Sequence, residues 1–475
     1  MSAGAMRSIC IWLVCSIAAI VLGGCGGGAG SSEPAPGRGL PGGVVGPPPP
    51  IVVDESGVPD HLNSTRVAIV EVAVVPMDRE TSIPQQTVLI ENGVIQDLGD
   101  TRSIDIPADA VVLDGTGRYL MPGLIDMHVH LMTDPGAEHD LIVELAAGVT
   151  SIRIMWGFQT HLDWRAAINE GAMLGPTLYV ASAGLEGTPP FWPGSIVVDS
   201  AAEARTAVRD LESAGYDFIK VYNQLQQEPY LAILEEAKSL DIKVVGHVPR
   251  ALSADFAIAS GQYTIEHFSR FAAEVTTTGS WTGEIDGSKL AALVERIRLG
   301  GTWNCPTLTV QTRSQAQVAG LKANPLYPLL SRPMREWLDS TQPQPPAADR
   351  TIEDRKRKEV LVALAEAGTG VVIGTDAGVQ YVFPGFSIHE ELLNFVDAGL
   401  TPYQALRAAT VDAATALQVT DRGIIAAGRR ADLLLLDADP LVSVKNVNRR
   451  VGVMVGGQWF AQSTLMEMAR DGTNQ

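Results

Sequence analysis

The sequence predicts an α/β fold: a closed (β/α)8 barrel with a small β-sandwich built from the N- and C-terminal flanks. Eight apolar, strand-like runs lie between residues 124 and 376. Most are separated by segments of helical composition, and that alternation produces parallel strands. Short alternating β patterns flank this stretch on both sides. Polar residues interrupt the apolar runs near their C-terminal ends, where such barrels carry their chemistry. An open doubly wound sheet is the alternative, but no G-x-G-x-x-G follows the first strand.

At 475 residues the chain is too long for one small core, so a large domain with appendages, or two to three domains, is expected. With 46% apolar and 19% charged residues it has the composition of a globular enzyme-sized protein. The formal charge of -19 argues against a nucleic-acid partner, which would want clustered Lys and Arg. Net charge says little about a substrate, because a pocket can oppose it locally.

Residues 1–24 read as an export leader. Arg7 supplies a positive flank, an apolar run spans Ile9 to Leu22, and Leu22-Gly23-Gly24-Cys25 follows. That ending resembles the lipobox of bacterial lipoprotein signals, which implies lipidation of Cys25 and attachment to the cell envelope, on its periplasmic or outer surface. An uncleaved leader would also place the chain on a membrane. Cys10 and Cys15 fall in the leader, so Cys305 remains as the one free thiol and no disulfide framework is expected. Residues 25–64 are rich in Gly, Pro and Ser, with four consecutive prolines at 47–50, and read as a tether.

The first part of the sandwich is placed at 65–121, in VAIVEVAVV, TVLIENGVIQDLG and AVVLDGTGRYL. Asn92-Gly93 between two apolar runs is a hairpin signal. The second part, 416–475, carries ADLLLLDAD and RRVGVMVGGQWF, and the two parts are expected to pair. The barrel occupies 122–415, with strands at 124–131, 150–156, 177–183, 218–222, 243–248, 263–268, 303–310 and 371–376. Helices are expected at 201–214 and 229–240, among others.

His128 and His130 end the first strand, Lys220 the fourth, His247 the fifth, His267 the sixth and Asp376 the eighth. Residues i and i+2 of a strand face the same side, so His128 and His130 can reach one point, as a metal requires of two nitrogen ligands. A lone polar residue in such a place is usually a satisfied buried group. Six at one mouth are hard to explain by packing, since a buried charge must be paired or bind metal.

From about Arg66 to Phe460 the chain resembles the amidohydrolase superfamily, through PGLIDMHVH, IEHF, GTDAG and the tail LTPYQALRAATVDAATALQVTDRGIIAAGRRADLLLLDADP. It is most similar to the imidazolonepropionase-like branch that includes Xaa-Pro dipeptidases. The resemblance implies that His128, His130 and Asp376 bind one divalent ion and His247 and His267 a second. Lys220, carboxylated by CO2, would bridge them together with a hydroxide. Zinc suits such a His-rich, oxygen-completed set, with Mn, Co and Fe as alternatives. The implied reaction is hydrolysis of an amide bond in a small peptide, N-acyl amino acid or cyclic amide by the bridging hydroxide, with Asp376 as general base.

Arg153, Arg250 and Arg270 follow or end strands and are candidates to clamp a substrate carboxylate, although for each a salt bridge to a barrel acid is the stronger reading. Tyr222, two residues past Lys220, is a candidate hydrogen-bond donor to substrate, with packing as an almost equal rival. The loop 184–195 exposes Phe191 and Trp192 and reads as an apolar substrate wall or as packing over the barrel edge. Residues 321–350 read as a lid or an oligomer contact, and His389 as a rim residue or helix-start feature. His61, His139 and His161 are expected at the surface. An organophosphate or lactone hydrolase using the same metals, and an inactive envelope binding protein, remain open beside the amide hydrolase.

Overall fold

A computed structural model describes residues 61–62, 64–340 and 350–472. The expected leader, Cys25 and nearly all of the tether lie outside the described residues, as do 341–349 of the expected lid. Among the described residues no helix is long and apolar enough to cross a membrane.

The centre of the protein is α/β with parallel sheets. Strands β1 (Leu124–Val129), β2 (Val149–Ile154) and β3 (Thr177–Val180) form one sheet; β4 (Phe218–Val221), β5 (Lys243–Gly246), β6 (Thr264–Glu266) and β7 (Trp303–Cys305) belong to another. Parallel bridges continue between them. Ala181 joins Phe218, Asn304 joins Val371, and Ala377 joins Val129 back on β1. The eighth expected run, 371–376, is not a regular strand, yet it is tied to β1 by Met127 N–H to Ile373 O and Asp376 N–H to His128 O.

Local sequence explains the boundaries. The helix Ala201–Ser213 begins at Ser200, whose hydroxyl accepts from Glu203 N while Glu203 reaches back to Ser200 N, a reciprocal cap. The run expected at 303–310 stops at Cys305, and a helix, Leu308–Thr312, takes up its end. Pro306 has no N–H for the ladder and Thr307 sits at φ 49°, so the strand cannot continue. Ile125, Met127, Met155, Phe218, Val245, Cys305 and Val372 fill the space between the parallel strands, closed at one end by Ala413 and Ala416 of the helix Val411–Ala416.

The flanks pair with each other. Tyr119–Pro122 runs antiparallel to Leu433–Leu436, and His61–Leu62 pairs with Gln458–Ala461. Hydrogen bonding joins them in one nine-stranded sheet. The reason lies in Arg66–Val74, which pairs Ile83–Glu91 on one edge and Val111–Asp114, then Tyr119–Pro122, on the other. Its register shifts between Ile69 and Val72, where Glu71 takes φ 53°; such a bulge bends a strand. Asn92 and Gly93 turn the hairpin at φ 49° and 77°, the two left-handed residues of a tight hairpin turn. Val67, Ile69, Val88, Ile95, Leu433, Leu435 and Trp459 give this sheet its own apolar core. The final helix, Gln462–Asp471, instead buries Leu465 and Ala469 in the central core.

Candidate metal centre

Five imidazole or carboxylate groups meet where the parallel strands end. His130 Nε2 lies 3.0 Å from Asp376 Oδ1, and His128 Nε2 lies 3.2 Å from the same oxygen. His267 Nδ1 is 3.9 Å from Asp376 Oδ2. The His128 ring centroid is 5.2 Å from that of His130 and 4.7 Å from that of His267, which in turn is 4.8 Å from His247. One ligand atom each from His128, His267 and Asp376 falls within 4.8 Å of the others. Lys220 is buried at the same place; its charge acts on His130, His247 and His267, and its Nζ lies 5.8 Å from the Tyr222 ring centroid.

The backbone is bent to make this convergence. His267 and Asp376 both sit at φ near +60°. L-residues adopt that conformation rarely and at a cost, so it persists only where the surroundings enforce it. At Gly378, which follows Asp376 closely at φ 92°, an added Cβ would lie 2.1 Å from His130 O, so only glycine lets the two chains approach.

Electrostatics favour a cation. Burial pushes His130 down to about 4 and His267 to about 3, and drives His247 well below its ordinary value, which favours neutral rings, the form that can offer a nitrogen to a cation. Burial alone would raise Asp376, but His128, and hydrogen bonding from His130, outweigh it and hold its carboxyl well below the usual range. Burial also brings the Lys220 amine down to about 8, against the upward pull of Glu266 and Asp376. His128 Nε2 is fully buried without a hydrogen-bond partner, its 3.2 Å approach to Asp376 being poorly aligned for one. A buried ring nitrogen without a hydrogen bond, facing a carboxylate among further imidazoles, fits a divalent ion.

Sequence reasoning missed the groups that aim these ligands. Glu266 Oε2 takes His128 Nδ1 at 2.9 Å, which turns Nε2 toward the cluster. Asn223 Oδ1 meets His247 Nδ1 at 2.9 Å, and Thr307 Oγ1 meets His267 Nδ1 at 2.6 Å. Asp126 accepts from His128 N, Thr375 N and Thr375 Oγ1, tying β1 to the segment that carries Asp376. Glu266 stands beside His267 in the quoted IEHF, and Asn223 directly follows Tyr222; their adjacency to ligand candidates was the available signal.

Several candidates fall elsewhere. Arg153 does not meet substrate: it is wholly enclosed, with Nη2 on Glu266 Oε1 at 2.9 Å and Nε on Met127 O at 2.7 Å. That partner lies on β6, whereas Arg153 itself lies on β2. Arg250 is exposed, its guanidinium 5.6 Å from the Phe191 ring centroid, and Arg270 Nε donates to Leu252 O at 3.2 Å. Trp192 Nε1 donates to Tyr222 Oη at 3.0 Å, and the Tyr222 ring lies 4.1 Å from His247. Of the two readings of His389 the helix-start one holds: it lies in the first turn of the helix Ser387–Ala398, buried against Ala147 O and Arg450. His161 is not a surface residue either; it is buried, with Nδ1 accepting from Phe158 N at the start of the helix Gln159–Asn169. His139 is half-buried, its Nε2 3.0 Å from Leu329 O and from Ala469 O. The side chain of His61 lies outside the described residues.

A parallel α/β protein with buried histidines, an aspartate and a lysine gathered at its strand ends defines a class of metal-assisted enzymes built on one scaffold. The chain belongs to the amidohydrolase family: residues 119–460 match the model of that family, whose fold is a TIM barrel. It is similar to the dihydroorotase of Geobacter sulfurreducens, 34% identical over 169 residues, which cover 34% of this chain and 37% of that protein. The chain thus matches little more than a third of the length of that relative. The imidazolonepropionase of Deinococcus radiodurans is 25% identical over 415 residues, covering 81% of this chain and 91% of the relative. Among solved structures, a bottromycin amidohydrolase superposes with TM-score 0.70 at 25% identity, over 87% of this chain and 91% of that one. A Xaa-Pro dipeptidase with bound methionine superposes at 0.64 with 20% identity, over 83% and 100%, and shows likeness of fold.

Proposed function

We propose that this protein is a metal-dependent hydrolase of amide bonds in small peptides, N-acyl amino acids or cyclic amides. The observation that carries the reading is the buried, unpartnered Nε2 of His128 among neutral His130, His247 and His267 and the ionised Asp376. His128, His130 and Asp376 would hold one divalent ion, zinc by ligand type, and His247 and His267 a second. When bound, such ions polarise a carbonyl and make water more acidic. Lys220 as a cation would oppose them. An amine brought to about 8 is neutral often enough near neutral pH to take up CO2, and carboxylated Lys220 would supply anionic oxygen ligands to the ions.

The chain's own groups then divide the work. Asp376 accepts a proton from the attacking water and returns it to the leaving nitrogen. Tyr222 directs a hydroxyl at a substrate oxygen, and Arg250, with no carboxylate partner among the described residues, receives a substrate carboxylate. The barrel reading is supported by the parallel bridges that continue from β3 to β4, from β7 to Val371 and from Ala377 to β1. Domain limits at 121/122 and 415/416 go with it. The Leu-Gly-Gly-Cys sequence supports a lipid anchor at Cys25 on a bacterial envelope.

Metal analysis of purified protein, with a panel of dipeptides, N-acyl amino acids, lactones and phosphotriesters, tests the reading. About two divalent ions per chain and turnover of the amides are expected. Lys220→Ala should lose both metal and at least about a hundredfold in turnover, as the loss of a supporting metal group does. Full metal content and activity in that variant would sink the bridge.

A further inference from the structure

Tyr222 stands between the metal cluster and the loop 184–195. Its ring lies on His247 at 4.1 Å and edge-on to Trp156 at 5.5 Å. Its oxygen lies 3.0 Å from Trp192 Nε1. An indole N–H can only donate, so in this bond the tyrosine oxygen is the acceptor. The hydroxyl hydrogen is thereby turned away from Trp192, and it has no acceptor among the described residues. A phenol left to itself could as well accept from a substrate amide.

The loop is held so that Trp192 can do this. Glu186, fully buried, takes Phe191 N at 2.7 Å and Ser195 Oγ at 3.0 Å, one on either side of Trp192. Asp199 takes Thr188 N and Oγ1 at 2.8 and 2.6 Å. The loop base is therefore fixed by two carboxylates, and Phe191 in turn carries the exposed Arg250.

We propose that Trp192 is a positioning residue that commits Tyr222 to hydrogen-bond donation, which makes the site selective for a substrate presenting a carbonyl or carboxylate oxygen there and not an N–H. This assignment rests on the amide-hydrolase reading and adds to it the sense of one substrate contact. Trp192→Phe keeps an aromatic ring in the loop and removes only the donor.

Kinetics of the wild type, Trp192→Phe, Tyr222→Phe and the double variant, on the dipeptide or N-acyl amino acid the wild type cleaves best, separate this role from that of a wall. Each single change should lower kcat/KM about tenfold, the order of one hydrogen bond. The double variant should be no worse than Tyr222→Phe alone, with metal content unchanged throughout. Losses that multiply in the double variant, or no loss in Trp192→Phe, overturn the proposal. The indole 15N–1H resonance that disappears in Trp192→Phe should shift in Tyr222→Phe, and an unmoved signal overturns the bond itself. A wild type that cleaves nothing in the panel overturns the hydrolase reading instead, and the indole signal is read independently of that result.

Discussion

The nine-stranded flanking sheet and the ends of the central strands are built on opposite terms. The sheet is apolar inside: Val67, Ile69, Val88, Leu433 and Trp459 pack together, and the buried Asp432 sits beside them on Arg430 and Gly456 N. The strand ends bury Arg153, Lys220, Glu266, Asp376 and His128, each answered by a partner or aimed at the cluster. In the sheet, shape alone is asked of the apolar side chains, and residues of similar volume could exchange. At the strand ends each polar group depends on another, and removing one leaves a second buried and unpaired.

That contrast can be broken by substitution. Arg153→Met should cost about 3–5 kcal/mol in unfolding free energy, because Glu266 is left buried without its cation. His128 should lose its orientation with it, so metal content should drop as well. Denaturant titration with metal analysis checks both, and a stable, metal-replete variant would show that the pair is dispensable. Trp459→Ala should cost about 3 kcal/mol through the cavity it leaves, at the low end for a buried aromatic. Here the metal content of the folded fraction should not change, and loss of metal would mean that the two regions are coupled.

A smaller effect comes from pH. Burial lowers His161 to about 4, and its Nδ1 accepts from Phe158 N as a neutral ring must. As pH falls below about 6.5 the unfolded chain takes up a proton that the folded one refuses until about 4, so stability is lost across that window. Glu391, raised to about 7 chiefly by burial, works in the opposite sense: its contribution is lost as pH rises from about 4.5 to 7. The difference between wild type and His161→Asn isolates the histidine. Urea midpoints at pH 7.5 and 4.5 should converge or cross for this pair on acidification, and a constant difference would contradict the assigned shift.

What could be read in the sequence follows the same division. Apolar runs located seven parallel strands, and Asn92-Gly93 located a hairpin, because both signals are local. Glu266 and Arg153 are 113 residues apart, and only the side-by-side arrangement of strands makes them a pair. The single flanking sheet depends on a bulge at Glu71, where the inward phase passes from Val67 and Ile69 to Val72 and Val74, and the apolar residues on both sides of it hide that shift in the sequence. His161 read as a surface residue because its spacing matched no partner; its place is fixed by a backbone N–H three residues earlier. Trp192 read as a wall because a sequence shows a ring's bulk and conceals the direction of its one polar bond.

The interleaving of the flanks has a further meaning for synthesis. Residues 119–122 have Arg66–Val74 on one side but find the strand on their other side at 433–436, and 61–62 pair at 458–461. A ribosome must deliver more than three hundred intervening residues before the first hairpins acquire the strands beside them. Until then Tyr119–Pro122 presents unpaired backbone groups along one side, the kind of template that recruits foreign chains. A product cut short before Leu433 would keep that side open permanently, so precipitation should precede any measurable loss of cation affinity.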